Sequence, residues 1–131
     1  MKLHDTTVQG HNVVTAYGEG YIAINGIEHH ASLIVAPDHL IESWPVTSAR
    51  ELRVEDFRGL METGASVILL GTGAKQVFPP PALLRSLSTQ GKAVEVMDSF
   101  AACRTYNILV AEGRDVVAGL ILPVNSNTAH P

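Results

Sequence analysis

The sequence has a single cysteine, Cys103, so no internal disulfide can form, and a reducing compartment suits the chain. Charged residues make up only 17% of the 131, below the usual quarter, so much of the chain is expected inside a core. No apolar run approaches the roughly 20 residues that a membrane-spanning helix needs. The start, Met1-Lys-Leu-His-Asp5, has neither an apolar signal-peptide core nor an Arg-rich amphipathic segment. The expectation is a soluble, non-exported, cytoplasmic protein. Positive charge is also scarce. The formal net charge is −4, which argues against a nucleic-acid footprint.

Several chemical signatures are missing. Gly71-x-Gly73 has no third glycine at position 76 and does not run straight into a helix, so the dinucleotide fingerprint fails. No Gly-Lys-Ser/Thr occurs, so there is no phosphate-binding P-loop. His29 and His30 are adjacent and would point to opposite faces of a strand. His4, His11, His39 and His130 show no zinc-ligand spacing with one another or with Cys103. No metal and no cofactor is therefore expected, and no Ser-His-Asp set can be defended, so no catalytic residue is assigned.

What is present is a hydrophobic fraction of 46%, ample for a folded core in one domain spanning 1–131. Residues 1–11 read as a loose arm and 125–131 as a frayed tail. Asn12–Tyr17, Tyr21–Ile24 and Ile27–Val35 read as three strands. Gly18-Glu19-Gly20 is the first turn and Asn25-Gly26 the second, the latter a strong hairpin signal because both residues tolerate positive φ. Pro37-Asp38 ends this meander. His39–Trp44 is a fourth strand stopped by Pro45. Trp44, the only tryptophan, is expected as a core anchor, with a pocket wall as the alternative.

The remainder alternates. Val54, Phe57, Leu60 and Met61 recur at helical spacing, with Glu55 and Asp56 in the first turn, where the helix dipole favours them. Ser66–Leu70 is an unbroken apolar strand of the kind covered on both faces. Pro81–Ser88 is a short helix opened by proline, whose missing N–H would be unpaired there anyway. Ala93–Met97 is a strand, and a helix capped by Asp98 or Ser99 runs to about Glu112. Asp115–Leu122 is the last strand. This order predicts an α/β fold with right-handed crossovers and a largely parallel central sheet.

In such sheets ligands bind beyond the carboxyl ends of the strands. Two segments meet there, Gly71-Thr72-Gly73-Ala74-Lys75-Gln76 and Asp98-Ser99. Glycines admit close backbone approach, and free N–H groups with Lys75 could hold an anion. Gln76 offers a donor and an acceptor. Asp98 could accept a proton or orient a ligand. Arg104, more than a turn into the long helix, either pairs with Asp98 or faces solvent. The candidate ligand site is therefore Gly71, Thr72, Gly73, Lys75, Gln76, Asp98, Ser99 and Arg104. The plainer reading stands beside it: the glycines only turn the chain, and Asp98 and Ser99 only cap a helix. Cys103, among small residues on a helix, is expected as a buried structural thiol, with redox sensing as a weaker role.

Three stretches carry a resemblance: Gly20-Tyr-Ile with Asn25-Gly26, then Leu69-Leu-Gly-Thr-Gly73, and above all Met97-Asp98 through Ala-Ala-Cys-Arg-Thr-Tyr-Asn107 to Ala-Glu-Gly-Arg114. Ser43-Trp44 also fits. Over residues 12 to 122 the chain resembles a family of unknown function. That family includes the mitochondrial respiratory complex I assembly factor 3 and many bacterial and archaeal hypothetical proteins. Asp98-Ser99-Phe100 stands where the pattern has Asp-Thr and a small residue. The resemblance implies three layers: a mixed, mostly parallel central sheet with one reversed strand, helices on one side and the β meander on the other. It implies no catalytic activity. It does imply protein partners, either respiratory-complex subunits or another assembly factor, with homo-oligomerisation a further option and mitochondrial location for eukaryotic members. The binding or assembly role is set against a small-molecule, anionic-ligand protein or minor enzyme using the crevice.

Overall fold

The computed structural model describes residues 10–124, so the expected arm (apart from its last two residues) and tail lie outside the described residues. β1 (Val14–Gly18), β2 (Tyr21–Ile24) and β3 (Ile27–His29) form an antiparallel sheet in that order. Asn25 and Gly26 both take positive φ, 52° and 84°, as the hairpin signal required. The expected third strand does not continue to Val35. It ends at His29, and Leu33–Ala36 forms β4 in a different sheet. The reason is burial. Ile27 and Glu28 are exposed, whereas all four residues of β4 are buried, so β4 needs a place covered on both faces. No proline or glycine marks the break.

The second sheet has the order β5-β4-β8-β6-β7, with β5 at His39–Ile41, β6 at Val67–Gly71, β7 at Val94–Met97 and β8 at Val116–Leu120. β8, β6 and β7 run parallel. β4 is antiparallel to both β8 and β5, so it is the one reversed strand of a mostly parallel sheet. β5 stops short of Trp44. The Trp44 indole is buried all the same, donating from Nε1 to the Asp56 carbonyl at 2.8 Å. Its ring lies so close to Gly119 that a Cβ there would sit 2.8 Å from Cη2.

Residues 54–61 are helical as expected but start tight. A 3₁₀ turn covers Val54–Phe57 and leads into one α turn, α1 (Arg58–Met61). α2 spans Pro81–Thr89 and α3 spans Ser99–Ala111. The helix α3 begins with Asp98, whose carboxylate accepts from the Ala101 N–H at 2.9 Å.

The main sheet is the middle of three layers. On one face Ile68, Leu70 and Val117 pack with Phe57, Leu60, Leu83 and Leu87 of α1, α2 and the 3₁₀ turn. On the other, Leu69, Val116, Ala118 and Leu120 pack with Val14, Ile22 and Ile24 of the meander. The long helix shares this second face, through Ala102, Cys103, Tyr106 and Val110. Side chains on α3 hold the meander in place. Asn107 accepts from the Val14 N–H at 2.9 Å and donates back to the Val14 carbonyl at 2.7 Å. Tyr106 donates to the Asn12 carbonyl at 2.8 Å. A helix side chain thus satisfies β1 as a neighbouring strand would.

Candidate functional site

The carboxyl ends of β6, β7 and β8 come together where the strand-order rule places a ligand. The two loops meet there by direct bonds. The Ser99 N–H donates to the Gly73 carbonyl at 2.8 Å, and the Gly73 N–H donates to Ser99 Oγ at 2.8 Å. Ser99 Oγ in turn donates to the Ile121 carbonyl at 2.6 Å. The Ile121 N–H returns to the Gly71 carbonyl at 2.9 Å. Ser99 is wholly buried, and one hydroxyl therefore ties the ends of β6 and β8 to the start of α3. A Cβ on Gly71 would lie 2.8 Å from Ser99 Oγ and 2.9 Å from Ser99 Cα, which is why the helix can approach only at glycine.

The remaining candidates divide around this knot. Thr72 is buried. Its hydroxyl donates to the Lys75 carbonyl at 2.6 Å and accepts from the Val77 N–H at 3.0 Å, folding residues 72–77 into a compact turn. Gly73 has φ +100°, outside the range of most side chains. Lys75 and Gln76 are exposed, and Gln76 donates from Nε2 to the Val96 carbonyl at 3.1 Å. Asp98 is half-buried and caps α3. Arg104 turns away from it and donates to the Tyr17 hydroxyl at 2.7 Å. Phe100, the departure from the family pattern, stacks on Tyr17 with ring centroids 5.1 Å apart. The structure thus gathers Gly71, Gly73 and Ser99 into one bonded cluster with Ile121. Thr72 beside it bonds to Lys75, Val77 and Met97. The side chains of Lys75 and Gln76 lie outside the cluster, and Arg104 is directed to the meander.

Burial pushes the Cys103 thiol up to about 12, with Arg104 subtracting and the nearby Asp98 charge adding lesser effects. It is protonated at neutral pH, as a structural thiol is. Burial, then the Asp38 charge, raises the Tyr106 hydroxyl. Among the described residues no group of three or more His, Cys, Asp or Glu is placed to hold a metal ion. No helix there is long and apolar enough to cross a membrane.

A cleft of about 290 Å³ went unforeseen. It lies at the opposite end of the sheet, beside the start of β8, with His11, Asp38, His39, Arg114 and Asp115 on its rim. The polar turns Pro37-Asp38-His39 and Gly113-Arg114-Asp115 are visible in the sequence. Their meeting depends on the β4–β8 pairing, which no local pattern announces.

The family described as protein of unknown function (DUF498/DUF598) matches residues 14–121. The 13 kDa major membrane protein of Francisella tularensis subsp. holarctica is 30% identical over 88% of this chain and 95% of its own length. NADH dehydrogenase (ubiquinone) 1 alpha subcomplex assembly factor 3 of Bos taurus is 30% identical over 84% of this chain. That alignment spans only 60% of the assembly factor's length. A Mth938-like domain protein from Bordetella pertussis, solved by NMR, superimposes with a TM-score of 0.76 and 34% identity, covering 99% of this chain and 98% of that one.

Proposed function

The chain belongs to the DUF498/DUF598 family of proteins of unknown function, and we propose that it is a binding protein that assists assembly of a membrane complex, with respiratory complex I the leading client. The observation that carries this reading is the Ser99 knot. At the end of the sheet where a substrate would be held, the hydroxyls of Ser99 and Thr72 and the N–H of Gly73 are spent on bonds within the chain. The polar chemistry there supports shape, and a shaped surface is what a binding partner reads. Relatives named as an assembly factor and as a membrane protein are consistent with such a client. The test is affinity purification at native expression, with and without detergent. Recovery of membrane-complex subunits is expected. Failure to recover any, together with a growth defect confined to Lys75 and Asp98 variants, would overturn the reading.

A second reading has one observation in its favour. Lys75 is exposed beside the knot and forms no ion pair among the described residues. An anionic metabolite held by Lys75 and Gln76, with Asp98 accepting from a donor group on it to orient it, would raise the melting temperature of the wild type. It would not raise that of a Lys75→Ala, Asp98→Ala double variant. Equal shifts for both proteins would remove this reading.

A further inference from the structure

Charge is unevenly placed along the chain. From Thr63 to Val94 there is no Asp or Glu, while Lys75, Arg85 and Lys92 all fall within that stretch. Taking these three positive charges from the chain's net −4 leaves −7 for the rest. The segment folds as β6, the loop after it, α2 and the entry to β7. Lys75 precedes α2, Arg85 sits exposed at its middle and Lys92 follows its end. None of the three forms an ion pair among the described residues.

Neighbouring elements offset this charge only in part. Val94 and Val96 of β7 pack on the α2 side, so Glu95, alternating with them, points to the other face of the sheet. The 3₁₀ turn that touches α2 brings Glu55 and Asp56. Both are engaged at Arg53: Glu55 pairs with its guanidinium at 3.7 Å, and Asp56 accepts from its backbone N–H at 2.8 Å. Exposed apolar side chains lie on segments adjoining α2. Phe78, on the loop into α2, is 65% exposed, and Val54 on the 3₁₀ turn is 45% exposed. The other exposed residues of α2 are Pro81, Ala82, Ser88 and Thr89.

We infer that this α2 face is a docking surface for an anionic lipid bilayer. A protein interface of ordinary size uses several large anchors packed at its centre. This face has one aromatic, Phe78, three long flexible cations and small residues between them. That composition suits a headgroup layer, where the ring enters the acyl boundary and the cations meet lipid phosphates. Charge and exposure alone carry this assignment, which holds or fails independently of the assembly role.

Sedimentation with vesicles tests it. The full chain is mixed with phosphatidylcholine vesicles containing about 30% phosphatidylglycerol and with pure phosphatidylcholine. Binding to the first only, and its loss at high salt, is expected. Each of Lys75→Gln and Arg85→Gln should weaken partition about fivefold, the pair about twenty-five-fold. Phe78→Ser should weaken it about tenfold or more. Ile108→Ser, removing a 58% exposed side chain on α3, should leave it unchanged. Melting curves confirm that each variant is folded. Wild-type sedimentation by the double Gln variant, equal binding to neutral vesicles, or an equal loss in Ile108→Ser would overturn the inference. So would binding to soluble polyglutamate without binding to anionic vesicles, which would assign the face to an acidic polypeptide.

Discussion

Ser99→Ala isolates one oxygen atom whose removal should be felt across three elements. In the wild type, Ser99 Oγ accepts from the Gly73 N–H and donates to the Ile121 carbonyl, at 2.8 and 2.6 Å. Both residues are buried, so water does not replace the lost partner without local opening. A buried backbone group left unpaired costs about 1–3 kcal/mol, so two should cost about 2–5 kcal/mol. That is a large share of the roughly 5–15 kcal/mol available to a folded domain. The midpoint of urea unfolding, followed by circular dichroism, should fall accordingly with an unchanged slope. The thermal midpoint should drop by about 8–20 °C. Amide exchange should quicken at Gly73 before it quickens in β2. Gly71→Ala adds a second measurement. Its new methyl would meet Ser99 Oγ at 2.8 Å and the Ser99 backbone at 2.9 Å, for a cost of about 1–3 kcal/mol. The clash with the Ser99 backbone persists in the double variant, so the two losses should be only partly sub-additive. A Ser99→Ala protein within about 0.5 kcal/mol of wild type would refute the claim that this hydroxyl ties the loops together.

Three further outcomes are expected. Asn107→Ala leaves both the N–H and the carbonyl of Val14 without their side-chain partner, and should cost about 2–5 kcal/mol with faster amide exchange in β1; unchanged β1 exchange would argue against the α3–meander tie. Gly119→Ala drives a methyl against the Trp44 ring, so it should cost about 1–3 kcal/mol and shift the emission of the only tryptophan; an unaltered spectrum would count against that packing. Cys103 should resist thiol reagents at neutral pH except as fast as the protein opens. Its folded pKa, about 12, lies above the ordinary 9.0, so the folded state holds the proton more tightly. The stability this confers is complete below pH 9 and is lost as pH rises toward 12, at up to about 1.4 kcal/mol per unit. Cys103→Ala should flatten the decline between about pH 9 and 10, before Tyr106 contributes. A slope identical to wild type would refute this.

Much of the fold was legible because the signals are local. Asn25-Gly26 selects the hairpin through positive φ, Pro81 opens α2, and Asp98 ahead of a helical pattern marks a cap. The break between β3 and β4 was not legible. It depends on which sheet each half joins, and the stretch His30-Ala31-Ser32 has no punctuating residue. The candidate site was legible in position only. Gly71, Gly73 and Ser99 do converge, but their spacing could not say whether the space between them stays open.

The sequence by itself therefore determined most of the elements and their order, though not the division of β3 from β4, and the resemblance implied the reversed strand and the family. Periodicity, capping and turn chemistry act within a few residues and can be read there. Only the tertiary structure decided that Ser99 bonds the loops after β6 and β8 to the start of α3, that Arg104 serves Tyr17 and not Asp98, and that α3 lies with the meander on one face. It also decided that Lys75, Arg85 and Lys92 form no ion pair with the described carboxylates. These outcomes join residues distant in the chain, and a hydrogen bond or a screened charge depends on distance in space, which no local pattern encodes.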